Sequence, residues 1–382
     1  MTSSALRVGL IVPRFAPFHG GMETYTAQAA AALAVMGAEV TVVTQVPRAA
    51  GLPRHAARDG YTVESHPLPV GDSLDVPSPA AARAASRSGR FDVLWVHNYH
   101  APLAWLVAEQ AEVPLVFTPH YHGVGHTPLR RGLHRVWRMA GRRLMAASRR
   151  IVVDTDAEAG LVLRDFPRQV PREKITVVPL AVADRVRGRQ PYPGESHVVL
   201  TVARQEPYKR TDLLVRAVVE LRGRGVPARL VVVGDGSGMA AYRELAAGLG
   251  AENAVTFTGA VDDETLGRWW ASASLYATAS RQEAYGIGLA EALVAGLPVV
   301  ASDIPAHREV VRLAGPGAAA RLCPPDSLDL VATSRYADAM AQLLGAPGSC
   351  GERAARCSLP SADQMADQLL ATLTSVAAFS RT

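Results

Sequence analysis

Short runs of β-branched residues alternate along this chain with longer amphipathic segments rich in alanine and leucine. Such alternation is typical of a parallel sheet covered by helices. In the first half of the chain it predicts five strands, at Arg7–Val12, Glu39–Thr44, Val93–His97, Leu115–Thr118 and Arg150–Asp154. It predicts three helices in the same half, at Glu23–Met36, Pro102–Glu109 and Arg130–Ser148.

The alternation begins again after the proline- and glycine-rich stretch Gly188–Glu195. Here it predicts strands at Val198–Val202, Arg229–Val233, Val255–Thr258, Leu275–Ala277 and Val299–Ser302, and helices at Thr211–Arg222, Met239–Leu249, Asp263–Ser272 and Leu289–Ala295. We therefore expect two doubly wound α/β domains. Ligands usually bind at the strand ends of such sheets, so two domains facing a cleft would present their strand ends to one another.

The composition is that of a globular protein large enough for two cores. The chain has 382 residues, of which 48% are hydrophobic and 20% charged. Its net charge of +5 suits an anionic substrate or a membrane surface, and we expect no nucleic-acid partner. Lys209 is one of only two lysines, with Lys174, in an arginine-biased chain, which suggests that a compact ammonium group is needed at position 209.

Several sequence features bear on cellular location. The three cysteines form neither a CxxC pair nor a disulfide framework. The N-terminus lacks the charged region and apolar run of a signal peptide. No stretch approaches the roughly 18 consecutive apolar residues of a membrane-spanning helix. We expect a cytoplasmic protein, with peripheral membrane contact and the oligomeric state left open.

Two carboxylates, Glu283 and Glu291, lie eight residues apart across a turn that contains Gly286 and Gly288. The glycines allow a ligand to approach the backbone, and the residues after them begin a predicted helix. The N–H groups at a helix N-terminus favour an anion such as a phosphate. A carboxylate on each side of a bound diphosphate could accept hydrogen bonds from hydroxyls, as a nucleotide sugar requires.

This segment, RQEAYGIGLAE, resembles the E-x7-E signature of retaining glycosyltransferase family 4, whose members have the two-domain GT-B architecture. The resemblance implies two Rossmann-like domains, an acceptor-side domain at residues 1–183 and a nucleotide-sugar domain at 184–360, with a C-terminal helix at 361–382 that packs on the first domain. It implies that Glu291 holds the ribose. It also implies that the sugar and diphosphate contact Glu283 and the backbone of Ala284, Tyr285, Gly286, Ile287 and Gly288.

Other segments of the second domain resemble landmarks of the same family. LTVARQEPYKR contains Arg204 and Lys209, which resemble the R-x4-K element that grips the donor diphosphate. VVVGDGSG and VTFTGAVDDETL resemble two further donor-side turns and contribute Gly234 and Gly259. The resemblance thus places four strand-end loops around one donor.

In the first domain, Gly20 and Gly21 lie between a predicted strand and helix and resemble the family's first glycine-rich loop. His120 follows the strand that ends at Thr118 and resembles the family's histidine near the donor sugar. The resemblance implies that His120 contacts a sugar hydroxyl and helps to set the transition-state geometry, beside Glu283.

A metal ion is not expected. Five histidines between positions 97 and 126 lack carboxylate partners at ligand spacing. Asp154 and Asp156 have the DxD spacing of a metal motif, but they precede a predicted helix, where capping explains an acidic residue. We therefore expect no cofactor, with the nucleotide sugar as co-substrate.

The acceptor is less well defined. Candidate acceptor contacts are Glu23, His97 and His122, and Glu23 together with Asp72 and Asp75 would attract a cationic acceptor such as an aminocyclitol of an antibiotic pathway. The arginine-rich amphipathic segment at residues 128–150 favours instead a lipid-linked or phosphoinositide acceptor with a GDP-mannose-type donor, although a solvated helix explains it as well.

These inferences together predict a retaining transferase that moves a hexose or aminohexose from a nucleotide diphosphate, most often UDP in this family, to an acceptor hydroxyl. Three alternatives stay open: a nucleotide-sugar epimerase, a phosphorylase and a non-catalytic nucleotide-sugar-binding protein. An NAD(P)-dependent oxidoreductase is disfavoured because no G-x-G-x-x-G fingerprint is present.

Overall fold

The computed structural model describes residues 5–16, 18, 20–71, 76–121, 123, 128–182, 186, 188–324, 329–345 and 348–379, without the side chains of residues 128–136 and 138. The chain forms two compact units. The first comprises Met1–Ala181 together with Pro360–Thr382, and the second comprises Val182–Leu359. The C-terminal segment therefore belongs to the first unit.

The first unit is an eight-stranded sheet with helices packed against it. Its strands are β1 (Arg7–Ile11), β2 (Glu39–Val46), β3 (His55–Arg58), β4 (Tyr61–Pro67), β5 (Val93–His97), β6 (Leu115–Thr118), β7 (Arg150–Val153) and β8 (Ile175–Val177). Its helices are α1 (Gly21–Val35), α2 (Pro79–Ala85), α3 (Pro102–Gln110), α4 (Pro128–Ala147), α5 (Asp156–Asp165) and, at the C-terminus, α13 (Ala362–Ala378).

The strand order of this sheet is β3-β4-β2-β1-β5-β6-β7-β8, and all pairs are parallel except β3 with β4. The order reverses between β1 and β5, which makes their carboxyl ends the expected ligand edge of a doubly wound sheet. The C-terminal helix α13 packs on α1 through a buried face that includes Met365, Leu369 and Leu373.

The second unit is a six-stranded parallel sheet. It contains β9 (Val198–Val202), β10 (Arg229–Val233), β11 (Val255–Gly259), β12 (Leu275–Thr278), β13 (Val299–Ser302) and β14 (Ala320–Cys323). Its helices are α6 (Thr211–Gly223), α7 (Met239–Gly248), α8 (Asp263–Ser272), α9 (Ile287–Val294), α10 (Pro305–Ala314), α11 (Asp329–Leu344) and α12 (Cys350–Ala355). The strand order β11-β10-β9-β12-β13-β14 is that of a Rossmann sheet, with the reversal between β9 and β12.

Both units are thus Rossmann-like α/β structures, as predicted, and every strand and helix predicted from the alternation is present with ends that differ by two residues at most. Three helices begin two residues earlier than predicted: α1, α4, which begins at Pro128, and α9. Helix α1 begins at Gly21 because the N–H of Thr24 already bonds to Gly20. Helix α9 begins at Ile287 because the N–H of Ala290 bonds to Gly286, whose φ of 105° ends the preceding loop.

The pattern did not predict the short edge strand β3, which forms a hairpin with β4. The turn residues Asp59 and Gly60 have positive φ angles of 38° and 84°, as two-residue hairpin turns require. The Asp-Gly pair is a recognised hairpin signal that would have identified it. The other unpredicted elements are α2, β4, β8, α10, β14, α11 and α12.

None of the helices in the described part of the chain combines the length and the apolar character needed to cross a membrane.

Candidate functional site

The predicted donor residues of the second unit lie in the loops that follow neighbouring strands. Lys209 comes after β9, Glu283 after β12, and Gly234 after β10. These strands are adjacent in the order β10-β9-β12, so their carboxyl ends meet at the point where the strand order reverses. The fold therefore gathers residues that are more than seventy positions apart in sequence at one edge of the sheet.

The centre of this edge is an ion pair between Lys209 and Glu283. The Lys209 Nζ atom lies 2.5 Å from Glu283 Oε1, and the two side chains are only 14% and 17% exposed. A hydrogen bond of 2.9 Å from the Arg281 N–H to the Tyr208 carbonyl ties the two loops together beside the pair. The contact is thus held by backbone as well as by charge.

The electrostatics of the pair favour both charged forms. Burial lowers the pKa of Lys209, but attraction to the Glu283 carboxylate outweighs it and the net pKa is raised. Burial raises the pKa of Glu283, but Lys209 and His307 outweigh it and the net pKa is lowered. At neutral pH the site therefore holds an ammonium and a carboxylate that neutralise each other.

The two glycines of the turn serve different purposes. Gly286 has φ of 105°, a left-handed conformation that strongly favours glycine, and a Cβ there would lie 3.1 Å from the His307 ring. Gly288 has no such backbone requirement; a Cβ there would lie 2.5 Å from the Tyr276 hydroxyl and 2.9 Å from the Val202 carbonyl. Gly288 thus allows α9 to pack on its own sheet.

Glu291 lies on α9 and is 1% exposed, so it is not a solvated helix position. Tyr285 is also buried, at 3% exposed, whereas Ala284, Ile287 and the two glycines are partly exposed. The turn therefore presents backbone rather than large side chains to a ligand. The predicted ribose contact of Glu291 stays a prediction.

Arg204 differs from Lys209 in its surroundings. Its side chain is 53% exposed, and its Nε lies 3.8 Å from Glu206 Oε1. The guanidinium group is consequently available to an incoming anion at the same edge of the sheet. This position fits the predicted contact with a diphosphate, which stays a prediction.

The loop that carries Arg204 and Lys209 is held by Gln205, which sequence reasoning missed. Gln205 is fully buried; its Nε2 donates to the Ala203 and Val233 carbonyls, and its Oε1 accepts from Thr211 Oγ1 at 2.7 Å. A buried amide with this many partners fixes the loop. Gln205 lies between the two basic residues, but nothing in its spacing distinguishes it.

Gly234 and Gly259 contact each other through the backbone. The Gly234 N–H donates to the Gly259 carbonyl at 2.8 Å, and both residues have positive φ. A Cβ on Gly234 would lie 2.0 Å from the Ala203 carbonyl oxygen. The glycine is therefore required by the packing of one loop on another.

The first unit contains a buried polar chain at the carboxyl edge of its sheet. His120 Nδ1 lies 3.0 Å from Asp154 Oδ2, and His120 Nε2 lies 3.2 Å from His97 Nδ1. His97 and Asp154 are almost fully buried, and the His120 side chain is 16% exposed. His120 also has a φ of 48°, a strained conformation for a residue with a side chain.

The pKa values of the two histidines in this hydrogen-bonded group shift in opposite directions. Burial lowers the pKa of His120, but Asp154 and Glu158 outweigh it and the net pKa is raised. Burial and the neighbouring His120 hold the pKa of His97 well below its usual value. Both nitrogens of His120 are engaged within the first unit, and its predicted contact with a sugar hydroxyl stays a prediction.

The residues around Asp154 correct the capping interpretation. The N-cap of α5 is Thr155, which accepts a hydrogen bond from the Glu158 N–H at 3.0 Å. Asp154 is not a cap but a buried partner of His120. Glu158, which the sequence did not single out, is 1% exposed, and burial and Asp154 raise its pKa to about 8.

The structure describes the surroundings of two further predicted residues of the first unit, Glu23 and Gly20. Glu23 is 7% exposed and pairs with Arg14 at 2.5 Å, so its charge is already neutralised. Gly20 has an extended backbone, and a side chain at this position would collide with Glu23, because a Cβ there would lie 2.3 Å from Glu23 Oε2. His122, Asp72 and Asp75 lie outside the described residues.

Within the described residues, no cluster of three or more histidine, cysteine, aspartate or glutamate side chains has an arrangement suited to a metal ion. The chemistry available at the second unit is therefore that of a fixed cation, a fixed carboxylate and the N-terminus of α9. These groups can bind an anion and orient hydroxyls.

Comparison with known proteins identifies the family of both units. The family described as "Glycosyl transferase 4-like domain" matches residues 20–181, and "Glycosyl transferases group 1" matches residues 183–336. The chain is 31% identical over 359 residues to a D-inositol 3-phosphate glycosyltransferase of Nocardia farcinica, covering 85% of this chain and 77% of that one.

It is also 31% identical over 342 residues to a phosphatidyl-myo-inositol mannosyltransferase of Mycolicibacterium smegmatis, covering 86% of this chain and 83% of that one. The fold is similar to that of sucrose-phosphate synthase from Thermosynechococcus elongatus, with a TM-score of 0.77, 20% identity and coverage of 99% and 100% of the two chains. Glycosyltransferase families match both halves of the chain, and a glycosyltransferase 31% identical to it matches 85% of its length. The chain therefore belongs to the GT-B glycosyltransferases of the family 4 type.

Proposed function

We propose that this glycosyltransferase transfers a hexose from a nucleotide-diphosphate sugar, with UDP as the first candidate nucleotide, to a hydroxyl of an inositol phosphate or a related phosphorylated polyol. We further propose that it retains the anomeric configuration and needs no metal ion. The observation that carries the proposal is the buried Lys209–Glu283 pair beside the N-terminus of α9.

The leaving diphosphate gains negative charge as the anomeric bond breaks. Lys209 and the exposed Arg204 supply fixed positive charge at the edge where it would lie. The first hydrogen bond of α9 comes from Ala290, so the preceding N–H groups of the helix have no acceptor within it and favour an anion. These groups stabilise the leaving group without a metal.

Glu283 is the partner of Lys209 in the structure, and a bound donor would alter that pairing. A bound diphosphate competes for the Lys209 ammonium, which leaves the Glu283 carboxylate to accept hydrogen bonds from sugar hydroxyls. We therefore assign Glu283 to positioning of the sugar and not to a covalent intermediate. Attack would then occur from the face that the departing phosphate leaves, with that phosphate as the base.

The names of the relatives support an acceptor that contains inositol. Two relatives that match most of the chain are named for inositol-containing acceptors. Glu23, which would attract a cationic aminocyclitol, is neutralised by Arg14 in the first unit. Both points favour an inositol phosphate over an aminocyclitol.

The test is a transfer assay with UDP-glucose, UDP-N-acetylglucosamine and GDP-mannose as donors. Each is paired with D-inositol 3-phosphate, with phosphatidylinositol vesicles and with an aminocyclitol, in the presence of EDTA. The proposal predicts transfer to an inositol phosphate and an α-anomeric product by NMR, since these donors are α-linked. A β-linked product contradicts retention, and transfer only to the aminocyclitol contradicts the acceptor assignment.

The same donors distinguish the remaining alternatives. Formation of a 2-epimer without an acceptor indicates an epimerase, and phosphate-dependent cleavage of a glycoside indicates a phosphorylase. Donor binding with no nucleotide release for any acceptor indicates a binding protein.

A lipid-linked acceptor would also require contact with a membrane. Met139, Arg142 and Arg143 are exposed on the described part of α4. Basic and apolar residues on one helix suit an anionic lipid surface. Sedimentation with anionic vesicles at low and high salt tests this; no binding at low salt excludes the lipid version and leaves a soluble inositol phosphate.

A further inference from the structure

A histidine outside the predicted site lies directly under the donor turn. His307 is in the first turn of α10, which packs against α9, and it has no solvent exposure. A Cβ on Gly286 would lie 3.1 Å from His307 Cδ2 and 3.3 Å from His307 Nε2. The ring edge that carries Nε2 therefore faces the turn between Glu283 and α9.

The hydrogen bonds of His307 determine which nitrogen carries the proton. The Ser302 hydroxyl donates to the Ser280 carbonyl at 2.5 Å, so its oxygen can only accept from His307 Nδ1 at 3.1 Å. The second neighbour of Nδ1, at 2.9 Å, is the Ser302 carbonyl, which also only accepts. Nδ1 must therefore be the protonated nitrogen.

The other nitrogen is consequently a bare acceptor. Burial lowers the pKa of His307, although the nearby Glu283 carboxylate partly opposes this, so the ring is neutral at neutral pH. Among the described residues, no group donates a hydrogen bond to His307 Nε2. An acceptor left unsatisfied in a protein interior costs about 1–3 kcal/mol, which calls for a reason.

We propose that His307 determines donor specificity: its Nε2 accepts a hydrogen bond from one hydroxyl of the transferred sugar, beside Glu283. The proposal rests on the proposed function and adds a second hydroxyl acceptor to the site. A hydroxyl is the partner that the chemistry selects, because a bare nitrogen attracts a donor group and repels a phosphate oxygen.

The geometry adds a condition to this contact. His307 Nε2 is buried, so the proposed contact requires the turn at Gly286 to move when the sugar binds. Gly286 separates the ring from the turn with backbone alone, since a Cβ there would lie only 3.1 Å from His307 Cδ2.

Two substitutions of His307 separate this role from a structural one. In His307→Asn the side-chain amide still donates to Ser302 but nothing replaces Nε2. In His307→Gln the longer amide reaches the position of Nε2 and its oxygen can accept. Binding of UDP and of UDP-glucose, UDP-N-acetylglucosamine and GDP-mannose is measured by titration calorimetry on the full chain, with thermal unfolding as the check on folding.

We expect His307→Asn to weaken binding of the preferred nucleotide sugar about tenfold, the value of one lost hydrogen bond, and to leave binding of its free nucleotide diphosphate within twofold. His307→Gln should restore part of the loss. One deoxy-sugar donor, the analogue that lacks the hydroxyl bound by His307, should bind the wild type about tenfold more weakly than its parent nucleotide sugar does. To His307→Asn, this analogue and its parent should bind equally well.

Equal weakening of nucleotide and nucleotide sugar, or no change in either, overturns the inference and assigns His307 to packing. The same holds if every deoxy-sugar donor loses affinity equally in both proteins. If the wild type transfers sugar and His307→Asn binds the nucleotide sugar as tightly as the wild type does, this inference fails and the proposed function stands. If the wild type binds none of the nucleotide sugars, the proposed function fails with it.

Discussion

The Lys209–Glu283 pair provides a test that separates stability from catalysis. Replacing Lys209 by methionine leaves a buried carboxylate without its partner, and replacing Glu283 by leucine leaves a buried ammonium. Removing one member of a buried ion pair typically costs about 3–5 kcal/mol. Because the side chains are 14% and 17% exposed, we expect the lower end, about 3 kcal/mol for each variant.

In thermal unfolding this corresponds to a fall in Tm of about 6–12 °C for a unit of this size. The double variant Lys209→Met/Glu283→Leu removes both charges and leaves neither buried alone. Replacing a buried pair by apolar residues is often close to neutral, so the double variant should be more stable than either single variant. Sugar transfer should fall at least about a hundredfold in all three, because the chemistry needs both groups.

The control is the surface pair between Glu220 on α6 and Arg224, the residue that follows this helix, whose side chains are 28% and 39% exposed. Replacing Glu220 by glutamine leaves Arg224 its second partner, Asp338, and should leave both the Tm and sugar transfer close to those of the wild type. The reasoning is refuted if the Lys209 and Glu283 substitutions each cost as little as this control. It is also refuted if their costs simply add in the double variant.

Three further predictions concern single residues. Gly286→Ala should lower the unfolding free energy by about 1–3 kcal/mol and weaken donor binding, because φ is 105° and the added methyl would contact the His307 ring. The control Gly223→Ala, which lies in open space at the end of α6, should be neutral or stabilising. Urea unfolding and donor titration measure both variants, and equal effects contradict the argument. Asp154→Asn should lower the pKa of His120 in an NMR titration and strongly reduce transfer, as His120→Ala should; an unchanged pKa shows that Asp154 does not control it. Burial raises the pKa of Glu158 in the folded chain from 4.5 to about 8, so between these pH values the folded chain holds a proton that the unfolded chain has lost. The unfolding free energy should therefore fall as the pH rises from about 4.5 to 8. Glu158→Gln should remove this pH dependence in urea unfolding, and an unchanged dependence contradicts the assignment.

Much of the fold was predictable because it depends on local patterns. Strands buried on both faces read as β-branched runs, and the helices that cover them read as amphipathic segments. The strand β8 was missed because its three residues are too few for a pattern to show. Length does not explain the omission of β14, which has four residues like the predicted β6, or of the 16-residue helix α11. The hairpin at Asp59 and Gly60 has a local signal in the sequence, the Asp-Gly pair, that predicts its turn.

The sequence also singled out residues that the fold brings together at one edge of the second unit. Spacing indicated Glu283 and the glycine turn, and resemblance to the family indicated Lys209; their roles toward a nucleotide sugar stay predictions. The sequence could not show that Lys209 and Glu283 form an ion pair, since that contact exists only where β9 and β12 lie side by side.

What only the tertiary structure decided is which polar residues face one another and which are deprived of water. The sequence alone determined two Rossmann-like units and a family, because periodicity and motif spacing are properties of the chain. The pairing of Asp154 with His120, the bare Nε2 of His307 below Gly286 and the bond from Gln205 to the Val233 carbonyl arise where the fold brings separate segments together. Desolvation and hydrogen bonding, which set their charge and their role, depend on neighbours that no local pattern contains.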